Sequence, residues 1–302
     1  MFKVVKLVAR SFDLDHVDIF WETTDWEVTS AQEVPTAYDL YVERAEGPAG
    51  PWTTLAGPFQ DQYIFRDFSP NLLHEWRKLF YRIRVVHKPT SEEQIFGPTA
   101  LLPEPDLIAL EIQRQEDVLL REFTGRRAWI YPVRTFGPKC LCYDKISGRR
   151  TRTGCLNCFD TGYMGGYHRP IEFYIQIDPE ADSPSNTNVA GERHEKNTSA
   201  RCINFPPAKP KDVIIEAENR RWQVVTVAKT ERLRSVVHQE LTIHHIPKGD
   251  TEYKLPINLE DLQNQQWAGE RNYTNPQHVN DHGDDDPYKL LAVYGYKPRG
   301  SV

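Results

Sequence analysis

Apolar and polar residues alternate over short stretches through the first third of the chain. Phe2 to Arg10, Val17 to Thr23, Tyr38 to Ala45, Trp52 to Ala56, Tyr63 to Phe68 and Leu79 to His87 each predict a β-strand. A two-residue period places alternate side chains on opposite faces of a pleated sheet. In the second strand Val17, Ile19 and Trp21 share one face, and Asp18, Phe20 and Glu22 share the other. Turn chemistry such as Glu46-Gly47-Pro48-Ala49-Gly50-Pro51 separates the strands. Regularly spaced short strands with turns between them predict a sandwich over residues 1–104.

The period changes after Pro103 and Pro105. Ile108, Ile112, Gln115, Leu119 and Phe123 recur at steps of three and four, broadened by Leu107, Leu110 and Val118, which predicts an amphipathic linking helix over 105–125. Asp106 suits its start and Gly125 its stop. The opposite face carries Glu111, Arg114, Glu116, Asp117 and Arg121. Such a helix covers the core of the following domain or packs against another subunit. Strand patterns then return at Ala128 to Arg134, Ile171 to Ile177, Val213 to Ala217, Trp222 to Ala228 and Gln239 to Ile246, with a tight turn at Glu218-Asn219-Arg220. Five short strands suit a small barrel over 126–250. Two interruptions break it: a cysteine-containing insertion at 137–167 and a polar loop at 178–202. Residues 251–302 lack periodicity and read as an extended C-terminal arm. Its acidic Asp281 to Asp286 turn lacks the spacing of a calcium loop.

Within the first hundred residues the pattern is carried by recognisable stretches. Trp21, Tyr38-Asp39-Leu40-Tyr41-Val42-Glu43-Arg44, Gly50-Pro51-Trp52, Phe80-Tyr81-Arg82-Ile83-Arg84-Val85-Val86 and Phe96-Gly97-Pro98-Thr99 resemble a fibronectin type III domain. The resemblance implies an Ig-like sandwich with the tryptophan between its sheets, the Tyr-Arg-Ile-Arg-Val run as penultimate strand and the Gly-Pro-Thr segment opening the last. The fold class expected for the whole chain is therefore mainly β.

Composition narrows the function classes. The chain has 302 residues with net charge −6, which argues against a protein that binds nucleic acid over its whole surface. No apolar run approaches the roughly 20 residues of a membrane-spanning helix. Met1-Phe2-Lys3-Val4-Val5-Lys6 alternates like a strand and not like a signal peptide. A secreted or membrane-anchored protein is disfavoured on these grounds.

Four of the five cysteines fall within 19 residues, as Cys140-Leu-Cys142 and Cys155-Leu-Asn-Cys158. Two short-spaced pairs across a hairpin-length loop suit tetrahedral thiolate coordination, so one structural Zn²⁺ per chain is the expected cofactor. The one-residue gap in the first pair leaves two disulfides as the rival arrangement. His168 could replace a thiolate but lies outside the tight cluster, while Cys202 reads as a small buried hydrophobe. Four thiolates leave no open coordination position, which points to a staple and not to catalysis. Between the pairs, Arg149, Arg150 and Arg152 form a local cationic stretch. They suit passive contact with DNA phosphate, or a solvated tip paired with an acidic neighbour.

No catalytic residues are identified. The sequence holds no phosphate-binding Gly-Lys-Ser/Thr loop and no Gly-x-Ser-x-Gly elbow. His244 and His245 fall on opposite faces of a strand, and Trp52 and Trp76 suit either a glycan platform or core packing.

The run from the helix onward resembles a virion protein of tailed bacteriophages. The resemblance rests on Leu110-Glu111-Ile112-Gln113-Arg114-Gln115-Glu116, Phe123-Thr124-Gly125-Arg126-Arg127, Gly137-Pro138-Lys139-Cys140 and Cys155-Leu156-Asn157-Cys158-Phe159-Asp160-Thr161-Gly162. Lys211-Asp212-Val213-Ile214-Ile215-Glu216 and Arg221-Trp222-Gln223-Val224-Val225 are similar to small barrels of head–tail connector proteins. It implies a structural subunit of the neck, built as a homo-oligomeric ring with portal, tail or tail-terminator proteins as partners, assembled in the bacterial cytoplasm and carried in the virion. A baseplate position is the alternative within that class, and a zinc-stabilised nucleic-acid binder the alternative outside it.

Overall fold

The structure is a computed structural model that describes residues 2–13, 16–26, 34–68, 79–101, 107–144, 146–151, 153–178, 186–188, 191–193, 197–216, 219–233 and 235–256. The chain is mainly β, as its alternation predicts. Seven strands come first: β1 Val4–Asp13, β2 His16–Thr23, β3 Tyr38–Ala45, β4 Thr53–Phe59, β5 Ile64–Asp67, β6 Phe80–His87 and β7 Glu92–Ala100. They form a three-stranded sheet ordered β1-β2-β5 and a four-stranded sheet ordered β4-β3-β6-β7. The two sheets make the β-sandwich that the alternation over residues 1–104 predicts.

The alternation of β2 is realised residue by residue. Val17, Ile19 and Trp21 are buried between the sheets with Leu40, Val42, Tyr81 and Ile83. Charge is admitted to this domain only where it is paired. Glu43 accepts hydrogen bonds from Arg82 Nε (2.6 Å) and Arg84 Nε (2.8 Å), and Asp67 accepts from Arg44 (2.7 Å) and the Tyr81 hydroxyl (3.0 Å). Trp52 lies under the Arg82 guanidinium, 4.3 Å from ring centre to Cζ, while Trp76 lies outside the described residues.

Next comes the helix α1 Leu107–Leu119, continued by a wider turn over Leu120–Thr124. Its buried face is not the one the apolar period suggests. Ala109, Leu110, Gln113, Asp117 and Leu120 face inward, whereas Ile108, Gln115, Leu119 and Phe123 face outward. The helix sits down through a small residue and a hydrogen bond: Gln113 donates its amide to the carbonyl of Val236. Ion pairs Asp117–Arg121 and Glu116–Arg201 hold its flank.

The remaining strands are β8 Arg126–Tyr131, β9 Tyr143–Asp144, β10 Arg149–Arg150, β11 Ile171–Ile177, β12 Asn186–Asn188, β13 Gly191–Arg193, β14 Asn197–Ile203, β15 Val213–Glu216, β16 Arg221–Arg232 and β17 Ser235–His245. Six of them close a barrel in the order β11-β14-β17-β16-β15-β8. The sequence pattern supplies five of these six. The missing strand, β14, falls all but its last residue within the segment read as the polar loop 178–202. Its inward residues Thr198, Ala200 and Cys202 are small, so the alternation is present but carries little hydrophobic contrast. Residues 186–188 and 191–193 of that segment also pair as a short hairpin.

Inside the barrel, Ile130, Phe173, Ile175, Ile214, Trp222, Val224, Leu241 and Ile243 pack around Cys202. Polar side chains are admitted where they are bonded: buried Glu216 accepts from Trp222 Nε1. Gln239 is fully buried and accepts from Ala208 N (3.0 Å) while donating to Ile203 O (2.9 Å) and Pro206 O (2.8 Å). It thereby satisfies backbone groups that a buried loop would otherwise leave unpaired. The tight turn between β15 and β16 holds as expected, with Asn219 at φ 61°.

The outer face of the three-stranded sheet rests on the barrel. Phe20 and Ile64 pack on the barrel core, and the Arg66 guanidinium stands 3.6 Å over the Phe205 ring. Among the described residues, no helix is long and apolar enough to cross a membrane. The arm 251–302 is described only as far as residue 256, where Leu255 packs on the outer barrel wall.

A candidate metal centre

The insertion leaves the end of β8 and re-enters the barrel at β11. Its backbone folds on itself through Arg134 N to Gly166 O (3.0 Å), Met164 N to Pro138 O (2.9 Å) and Cys140 N to Gly162 O (2.9 Å). These bonds bring the two cysteine turns face to face. The Sγ atoms of Cys140, Cys142, Cys155 and Cys158 all lie within 4.8 Å of one another, and all four residues are buried. They make a core cluster of their own that includes no carbon side chain. Cys140 and Cys155 are 4.0 Å apart and Cys142 and Cys158 3.4 Å, far beyond the roughly 2.05 Å of a disulfide. The fifth cysteine, Cys202, is buried in the barrel core, where burial pushes its thiol up to about 12.

Electrostatics within the cluster are in conflict. Burial pushes the Cys142 and Cys158 thiols up. Cys155 also pays for desolvation, yet the backbone N–H groups of Asn157 and Cys158 and the neighbouring thiols pull it down to about 6. Four sulfurs packed in one site therefore cannot all ionise without a cation between them. A metal ion resolves the conflict, because thiolate is the ligating form and the ion supplies the compensating charge. These four residues could hold a metal.

Local sequence explains the turns. Gly162 adopts φ 86° and directs its N–H at the Cys158 sulfur, a conformation that side chains rarely take. Gly166, at φ 70°, would place a Cβ 2.6 Å from the Cys158 carbonyl oxygen, so no larger residue fits. Asp160 closes the second turn from outside. Its carboxylate accepts from Gly154 N (3.0 Å) and Cys155 N (3.2 Å) and pairs with Arg150 at 2.9 Å.

The cluster is tied to both domains. Asp25, just past β2, accepts from Gly137 N at 3.1 Å and pairs with Lys139 at 3.0 Å, while Trp26 N donates to Gly137 O (3.3 Å) and Lys139 N donates to Trp26 O (2.9 Å). Arg134 grips Asp61 of the sandwich with two guanidinium nitrogens while its Nε donates to Tyr167 O (2.9 Å). Phe159 and Tyr167 pack with Trp129, Val133, Val213 and Ile246 on the outer barrel wall.

The cysteines are the part of this site that spacing alone identifies. Asp25, Asp61 and Arg134 escape such reading, because their roles depend on contacts up to 138 residues away in sequence, and Asp160 escapes it because its bonds to Gly154, Cys155 and Arg150 follow from the folded turn. His168 is not a ligand. Its ring lies 5.2 Å from Tyr63 and 4.8 Å from Phe136, ring centre to ring centre, and neither nitrogen has a partner among the described residues. Burial, together with the positive charges of Arg134 and Lys209, holds it neutral well below the usual histidine range. Arg149 is exposed at the hairpin, Arg150 is committed to Asp160, and Arg152 lies outside the described residues. His244 approaches Asn197 (3.1 Å) and His245 packs on Trp222 on the other side, consistent with their opposite faces.

No protein-family model matches the sequence, and no curated protein matches it.

Proposed function

We propose that this chain is a structural subunit of a tailed-phage virion, a component of the neck ring that joins portal and capsid to the tail, and that its four cysteines hold one structural Zn²⁺. It works as a scaffold held among copies and neighbours, with no reaction to perform. The observation that carries this reading is the closed and buried sulfur cluster at the meeting point of sandwich and barrel. Zinc bonds of 2.3 Å at the tetrahedral angle put sulfurs about 3.8 Å apart, inside the range of separations found here. Such a cage has no position for water or substrate, and its protein contacts run to the sandwich through Asp25 and to the barrel through Phe159 and Tyr167. A load passed between neighbouring particle proteins would cross this joint, where metal ligation substitutes for a hydrophobic core. A DNA-binding role has less support, because Arg150 is already spent on Asp160.

The test is location. Electron microscopy of intact particles places the sandwich–barrel pair in a ring between capsid and tail if the reading is right. Particles that assemble and infect without the chain contradict it.

A further inference from the structure

A cavity of about 140 Å³ lies where the sandwich meets the barrel, and none of the four clustered cysteines lines it. Phe20, Tyr63 and Ile64 reach it from the sandwich, while Pro132, Pro170 and Pro206 reach it from the barrel side. Its walls are built from rings. Those of Tyr63, Phe136 and His168 pack on one another with 4.8 to 5.2 Å between centres. The prolines add flat apolar surface that carries no N–H. An apolar cavity of about 150 Å³ admits one benzene ring. The volume here therefore suits a ligand with a single six-membered ring.

The lining also holds charge that the chain does not neutralise. Its two acids are matched internally, Asp61 by Arg134 and Glu22 by Lys6 at 2.9 Å. Its two cations, Arg169 and Lys209, are exposed and have no ion-pair partner among the described residues. Other donors at the wall are already committed. The Gln62 amide donates to Ile64 O, and the backbone N–H groups of Trp21 and His168 donate to Tyr63 O and Pro132 O. The His168 ring is the exception, because both of its nitrogens are buried without a partner among the described residues. A buried polar group left so costs free energy until something satisfies it. No protein hydrogen bond holds this imidazole, so it can turn an N–H toward an arriving acceptor without breaking one.

From the size of this cavity, its ring-built walls and its two unmatched cations we infer that it is a binding site for a small aromatic carboxylate. The ligand's ring lies among the aromatic and proline side chains, and its two carboxylate oxygens meet Arg169 and Lys209. Charge-assisted hydrogen bonds of this kind are stronger than neutral ones, and the planar guanidinium matches a carboxylate. His168 supplies a further donor from the wall. A molecule seated here touches sandwich and barrel together, so its binding stabilises the joint between them. The inference goes beyond the proposed structural role and depends neither on it nor on the metal.

The site is tested by titrating the full-length protein with benzoate and following assigned NMR signals. Benzoate binds with a Kd of about 1 mM or tighter and shifts the signals of Tyr63, Phe136 and His168. Benzamide keeps the shape without the charge, and acetate keeps the charge without the ring. Each binds at least about tenfold more weakly than benzoate. Arg169→Gln or Lys209→Gln weakens benzoate about two- to fivefold, the double variant about tenfold, and neither changes the affinity for benzamide. Both substitutions alter exposed side chains, and an unchanged thermal midpoint without probe verifies that the fold is intact. Equal affinity for benzoate and benzamide, or a double variant that binds benzoate like wild type, overturns the assignment of a carboxylate. Signals of Tyr63, Phe136 and His168 that stay unmoved at about 10 mM benzoate overturn the site itself. The placement of the chain in the virion neck is decided separately, by its location in the particle.

Discussion

The sandwich and the cysteine insertion solve the same problem by different means. In the sandwich, two sheets bury a continuous apolar cluster running from Phe2 to Leu101, and the few charges admitted are matched by arginines. Burial of aliphatic and aromatic area suffices to order it. The insertion has less of this resource: its tip exposes Leu141 and Ile146, its Phe159 and Tyr167 pack on the barrel wall, and its own core cluster is four cysteines. A segment of this size offsets little of its conformational entropy with side-chain burial, and the proposed metal would supply the remainder through coordination bonds. The barrel shows the intermediate case, an apolar interior with one fully satisfied amide, Gln239.

The sharpest way to separate the two regimes is to remove a ligand. Cys142→Ser should abolish metal binding, which in small zinc domains is worth roughly 10–16 kcal/mol of apparent folding energy. Hydrogen exchange should then rise through residues 137–167 while the sandwich strands stay protected. Equal loss of protection in both regions would show that the insertion does not depend on the metal separately. Trp21→Ala makes the converse cut. It should cost about 3–5 kcal/mol through the cavity left between the sheets, with metal content unchanged.

Smaller effects come from two buried groups beside the joint, and they carry opposite signs. Asp212 accepts from Val133 N (2.8 Å) and Lys209 N (2.7 Å), yet burial outweighs these bonds and raises its carboxyl to about 7 from 3.8. The folded state therefore holds this proton more tightly than the unfolded chain. Its contribution is complete below pH 4 and is lost as pH rises through 7. His168 is depressed, so its contribution is present above about pH 6.5 and declines as pH falls. Denaturant midpoints measured from pH 4 to 8 should show Asp212→Asn gaining on wild type as pH rises, and His168→Phe gaining as pH falls. Parallel curves for all three proteins would remove both groups from the account. Arg150→Ala is the mildest change. It breaks a part-exposed ion pair with Asp160 and should cost under about 1 kcal/mol, read as a slightly faster metal loss to a chelator.

These regions also differ in how far their sequence reveals them. The sandwich strands declare themselves because large apolar residues alternate with charged ones, as in Val17-Asp18-Ile19-Phe20-Trp21. The barrel strand Asn197–Ile203 does not, since Thr198, Ala200 and Cys202 fill a narrow interior where bulk would clash. Helix α1 misleads for a related reason. Its apolar period is real, but the packed face is chosen by Ala109, which allows close approach, and by the Gln113 bond to Val236. The period marks a surface that remains outward. In the metal centre the ligands are legible from spacing, whereas Asp25 and Arg134, which fix the cage between the domains, become visible only when the fold brings residues distant in sequence together.

The central claim is that four buried thiolates close around one ion. X-ray absorption at the zinc edge, with metal quantified on freshly purified and reduced full-length protein, tests it directly. One zinc per chain with four sulfur neighbours near 2.3 Å is the expected result. A metal-free chain that keeps residues 137–167 ordered, or a first shell containing oxygen, would contradict it.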